Sequence, residues 1–151
     1  MTQATVTLVD GMQFLAETGS GHSFNIDAGP EVGGRDTGCR PMELLMAGLA
    51  GCTAMDVISI LRKMQQKVTD LKVHVSGERA AEHPKRLLSI HIEYTIVGFG
   101  LPEDKVARAI ELSETKYCPA TASLRPGAPI TSGYVILEAG PDTMAKQPDR
   151  L

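Results

Sequence analysis

The stretch PMELLMAGLAGCTAMDVISILRKMQQK, from Pro41 to Lys67, constrains the fold more than any other part of this 151-residue chain. Pro41 suits the first position of a helix, and Glu43 puts an acid in its first turn, where the helix dipole favours one. The first half is apolar nearly all round and the second half is amphipathic. A helix of that kind sits in the middle of something, because every apolar side has to be covered. The most apolar run, 44–55, stops at Asp56 and falls short of the ~20 residues of a membrane span, so a buried helix is expected. Gly48 and Gly51 each cost up to ~1 kcal/mol against Ala in a helix interior. That cost makes sense where another backbone or a ligand approaches closely.

The flanking sequence alternates with period two. ATVTLVDGMQFLAET carries Asp10-Gly11 between two runs, a tight-hairpin signal, and HSFNIDAG adds a short third strand. Residues 27–40, rich in Gly, Pro and Asp, read as a loop. After the long helix, LKVHVSGER and LLSIHIEYTIVG predict two antiparallel strands. LPEDKVARAIELSETKY predicts a second helix, interrupted at Cys118-Pro119. PATASL restarts as a short helix and SGYVILEAG is a last strand. The expected class is α+β, with helices packed on antiparallel sheets, a single domain over 1–139 and a flexible tail over 140–151.

Composition narrows the partners. Net charge is −3, aromatics make up 4%, and Lys and Arg are scattered, which argues against nucleic acid. The N-terminus lacks a basic start followed by an apolar core, so no signal peptide is read, and the three cysteines are expected as reduced thiols in the cytoplasm. His22, His74, His83 and His91 show no metal spacing, and no phosphate loop or dinucleotide fingerprint is present. No metal and no bound cofactor are therefore expected. His74 and His91 fall on the polar phase of their strands, as cross-strand neighbours facing water.

The thiols are separated by geometry. Cys39 precedes the helix and Cys52 lies well inside it, roughly 16 Å further along the axis. A disulfide tolerates at most about 6.8 Å between Cα atoms. An unbroken helix therefore keeps Cys39 and Cys52 of one chain apart, leaving Cys118 as the intrachain partner available to Cys52. Cys118, before a proline at a helix start, is favoured as a thiolate. Mid-helix Cys52 needs a cation from elsewhere to react. Pattern alone also reads both thiols as small buried residues.

GGRDTGCRPMELLMAGLAGCTAMDVISILRK, followed by SGER opening a strand and by ARAIELSETKYC with its CP step, resembles the OsmC/Ohr family of thiol peroxidases, over roughly residues 3–138. The resemblance implies an OsmC-like fold and an intertwined homodimer, with long helices buried, curved sheets outside and active sites at the subunit interface. It implies that Cys52 attacks an organic hydroperoxide and becomes a sulfenic acid. Cys118 then resolves it as a disulfide, and an external dithiol restores both. The family's N-terminal arginine has no counterpart before Arg35, and its glutamate after the helix-starting proline is replaced by Met42, with Glu43 one residue on. Arg35, Arg40 and Glu43 are the substitutes expected to steady the thiolate, with Arg79 as a further candidate. Cys39, also a departure, is expected to have no role. Two other readings stay open: a dimeric small-molecule-binding protein of the same fold, and a general thiol–disulfide redox protein.

Overall fold

The computed structural model describes residues 1–140 and divides into two compact units at 45/46, within the long helix. The expected tail, apart from Gly140, lies outside the described residues.

The N-terminal unit is a three-stranded antiparallel sheet of β1 (Ala4–Asp10), β2 (Gln13–Thr18) and β3 (Ser23–Ile26) in that order. The expected hairpin forms where Asp10 pairs with Gln13. Gly11 takes a φ of 56°, which suits glycine at such a turn. Residues 27–40 form the expected loop, carrying a short 3-10 turn at Pro30–Val32. Asp27 organises it: the buried carboxylate accepts the N–H groups of Ala28, Arg35 and Thr37 and the Thr37 hydroxyl. Those donors favour the charged form and lower its pKa to about 2, the Thr37 hydroxyl contributing most. The loop folds so tightly that a Cβ on Gly34 would lie 1.9 Å from the Ala28 carbonyl oxygen.

Helix α1 (Pro41–Lys63) follows the loop. It stops short of the expected Lys67, because Gln65 takes the left-handed conformation and turns the chain into the next strand. In the second unit α1 lies with β4 (Lys67–Arg79), β5 (Leu87–Phe99), α2 (Glu103–Leu112), a π turn at Ser113–Tyr117, α3 (Pro119–Leu124) and β6 (Ile130–Glu138). The sheet order is β4-β5-β6. β4 and β5 pair antiparallel, but β6 runs parallel to β5, which corrects the expectation of wholly antiparallel sheets. The reason is the connection: α2, the π turn and α3 carry the chain back across the sheet, and such a crossover returns a strand in the parallel sense. His74 sits opposite Glu93 and His91 opposite Ser76, so the two histidines are diagonal rather than facing neighbours.

The core joins Leu49, Val57 and Leu61 of α1 to Ile90, Ile92, Tyr94 and Ile96 of β5 and to Val106, Ala109 and Ile110 of α2. Spacings of four on α1 and two on β5 are what one helical stripe and one sheet face require. Other flanks of α1 are not covered by the described residues: Met55 is 73% exposed and Leu45 44%. Positions 48 and 51 face open space, with nothing within 4 Å of a Cβ built there. By length and composition alone α1 is apolar enough to cross a membrane, yet its central stripe is built into the core.

Candidate active site

Cys52 and Asp56 stand one turn apart on α1, so both project from one face. Cys118 is the N-cap of α3, placed there by the extended residue at which the π turn ends. These elements bring the two sulfurs and an Asp56 carboxylate oxygen within 4.8 Å of one another. Cys118 is 3% exposed, while Cys52 and Asp56 are half-buried. All three thiols of the chain are free.

Backbone N–H groups of the first turn of α3 serve both sulfurs. The Thr121 N–H donates to Cys118 Sγ at 3.4 Å, and the Ala120 N–H donates to Cys52. The balance at Cys52 nevertheless runs against a thiolate. Burial pushes its pKa up most, the Cys118 thiol and the Asp56 charge push the same way, and only the Ala120 N–H opposes them. Cys118 takes the N-cap position expected from its proline.

Behind the thiols lies a chain of hydroxyls. Thr53 Oγ1 is 2.7 Å from Tyr94 Oη and 2.9 Å from Ser113 Oγ. Ser113 donates to Asp56 Oδ2 at 3.1 Å, and Tyr94 donates to Glu114 Oε1 at 3.4 Å. Thr53, Tyr94 and Ser113 are fully buried, and burial raises the Tyr94 pKa well above the ordinary phenol value. The network fixes the Asp56 carboxylate next to the sulfurs. Asp56 also lines a pocket of about 300 Å³, together with Ser59, Ile60, Lys63, Met64, Leu112 and Tyr117. That is the lower end of the volume range of small-molecule sites.

The other expected site residues belong to the N-terminal unit and have partners there. The Arg35 guanidinium pairs with Asp10, and that of Arg40 pairs with Asp36 at 2.5 Å and donates to the Gly38 carbonyl at 2.8 Å. Glu43 accepts the Arg40 backbone N–H at 2.9 Å, the reciprocal half of a capping box. Arg79, in the second unit, donates to the Lys85 carbonyl at 2.9 Å. Cys39 is exposed, and its backbone bridges to Ile26.

Asp56, Thr53, Tyr94 and Ser113 were not singled out from the sequence as site residues. Asp56 carried one signal, its position four residues after Cys52 on a helix. The Ser113 and Tyr94 contacts depend on tertiary packing and left no local trace.

Comparison with known proteins gives consistent matches. Residues 34–133 match the family described as OsmC-like protein. Protein YhfA of Escherichia coli K12 is 36% identical over 137 residues, covering 91% of this chain and 99% of that protein. A crystal structure of a hypothetical protein from Aquifex aeolicus superposes with a TM-score of 0.81 at 28% identity, covering 93% of this chain and 98% of that one. The organic hydroperoxide resistance protein OhrB of Bacillus subtilis shares the fold, with a TM-score of 0.62 at 16% identity over 89% of this chain and 98% of its own.

Proposed function

The chain belongs to the OsmC-like protein family, and we propose that within it this protein is a two-cysteine peroxidase acting on organic hydroperoxides. The observation that carries the reading is the Cys52–Cys118 pair, held within 4.8 Å beside a pocket with apolar walls. The Cys52 thiolate attacks the distal peroxide oxygen, and the O–O bond breaks. The alkoxide leaves, takes up a proton and departs as the alcohol, while Cys52 becomes a sulfenic acid. The Cys118 sulfur then attacks the Cys52 sulfur; the disulfide forms and water leaves. An external dithiol returns two electrons and two protons. No bound cofactor takes part. Ile60, Met64 and Leu112 favour a substrate with an apolar body over hydrogen peroxide.

A cytoplasmic homodimer completes the reading. A second copy covers the exposed flanks of α1 around Leu45, Gly48, Gly51 and Met55, and so supplies the neighbour that the two helical glycines call for. It also brings the opportunity for cationic help at Cys52, where burial, Cys118 and Asp56 all oppose ionisation. Arg35 and Arg40, with Glu43 ordering the segment, remain the groups assigned to that task in the dimer, and Arg79 is the further candidate.

The test is a pair of variants. Cys52→Ser abolishes hydroperoxide consumption, and Cys118→Ser leaves a sulfenic acid on Cys52 that a dione reagent traps. Retention of peroxidase activity in Cys52→Ser overturns the reading. The raised Cys52 pKa favours a second reading, a dimeric small-molecule-binding protein whose cysteines are unreactive filling beside the site; there, both variants keep ligand binding and no peroxide is consumed.

A further inference from the structure

We propose that the reduced Cys52–Asp56–Cys118 cluster is a binding site for a soft divalent cation of the zinc type. The proposal goes beyond the peroxidase reading and does not rest on it. Its basis is the donor set: two sulfurs and a carboxylate oxygen, all within 4.8 Å of one another. In a tetrahedral zinc site, bonds of about 2.3 Å to sulfur and about 2.1 Å to oxygen set the donors about 3.6–3.8 Å apart. Closing from at most 4.8 Å asks for small side-chain adjustments on two elements of the same unit.

Each donor is already oriented by an outer hydrogen bond, as the ligands of structural metals usually are. Thr121 N–H holds the Cys118 sulfur and Ala120 N–H the Cys52 sulfur. Ser113 holds Asp56 through Oδ2, so the carboxylate can present Oδ1 to a cation. The buried hydroxyls of Thr53 and Tyr94 brace Ser113 in turn.

The chemistry selects the cation. Thiolate sulfur suits zinc, cadmium or cobalt, whereas magnesium and calcium require oxygen alone. Binding converts two thiols and one carboxylate into a complex of net charge −1 and releases two protons. Three protein ligands leave the fourth tetrahedral position for water or a small anion, and the half-buried setting of Cys52 and Asp56 leaves a way in. With both sulfurs occupied, Cys52 and Cys118 are protected from alkylation and from joining as a disulfide. The sequence hides such a site because its ligands come from one helical turn of α1 and the distant N-cap of α3.

The experiment titrates cobalt(II), then zinc(II), into the fully reduced protein without oxygen, in a Cys39→Ser background that removes the exposed third thiol. Expected are one metal per chain, a sulfur-to-cobalt charge-transfer band with tetrahedral d–d bands, and displacement of cobalt by zinc. Cys118→Ser eliminates the charge-transfer pattern of the pair. Asp56→Asn, with an unchanged circular dichroism spectrum, weakens binding by at least about 10–100-fold, since disturbing only an outer partner of a ligand already costs that much. Binding without sulfur charge transfer, or binding of equal strength in Asp56→Asn or Cys118→Ser, overturns the proposal. A protein that cycles through its disulfide yet takes up no cobalt also overturns it, while leaving the peroxidase reading intact.

Discussion

Replacing Thr53 by Val removes one hydroxyl from the centre of the buried network with little change of shape. Thr53 is fully buried, and its oxygen bonds Tyr94 at 2.7 Å and Ser113 at 2.9 Å. Neither partner is orphaned by the change: Tyr94 keeps Glu114 at 3.4 Å and Ser113 keeps Asp56 at 3.1 Å. Three hydroxyl protons make at most three of these four bonds at one time, so the loss is one net hydrogen bond, about 1 kcal/mol, rather than the desolvation of a stranded group. For a chain of this length that lowers Tm by about 2–4 °C. Because the stability of the proposed dimer depends on concentration, wild type and variant are compared at one protein concentration, by thermal and urea unfolding. Tyr94→Phe removes the bond shared with Thr53, so the double variant loses less than the sum of the singles, by about 0.5 kcal/mol. Strict additivity, or a Tm shift below about 1 °C in Thr53→Val, refutes the network.

Three further outcomes follow from the same structure. Asp56→Asn removes a negative charge that raises the Cys52 pKa, so the pH profile of Cys52 alkylation moves to lower pH; an unmoved or raised profile contradicts the placement of Asp56. Asp27, held at about 2 against an ordinary value of 3.8, adds stability above pH 3.8 that is lost as pH falls towards 2. The stability gap between wild type and Asp27→Asn should therefore narrow across that window in acid-unfolding curves, and a constant gap refutes the assignment. Met55→Glu places a charge on the most exposed apolar residue of α1, so light scattering should show dimer converting to monomer; an unchanged dimer places the interface elsewhere.

Much of the fold was legible because its signals are local. Pro41 and Glu43 mark the start of α1, and the Ile90–Ile96 alternation marks β5. The CP step at Cys118 marks the cap of α3. The sense of β6 was not legible, since its own alternation is the same whether its neighbour is parallel or antiparallel; only the crossover through α2 and α3 decides it. At the site, the Cys52–Cys118 pairing came from helix geometry together with family resemblance. Asp56 was visible as a residue but not as a neighbour of Cys118, because that proximity depends on how α3 packs. The arginines show the opposite limit. Arg40 precedes α1 and Arg35 lies a few residues before it, yet their guanidinium groups pair with Asp36 and Asp10. Charge positions along a chain do not reveal which of several carboxylates each arginine will take.

The most direct test of the two-cysteine cycle is the intact mass of the reduced protein after a slight molar excess of an organic hydroperoxide, followed by peptide mapping. The two-cysteine cycle predicts the loss of two hydrogens per chain and a single linked peptide joining Cys52 to Cys118. An unchanged mass with all three thiols still alkylatable would contradict it.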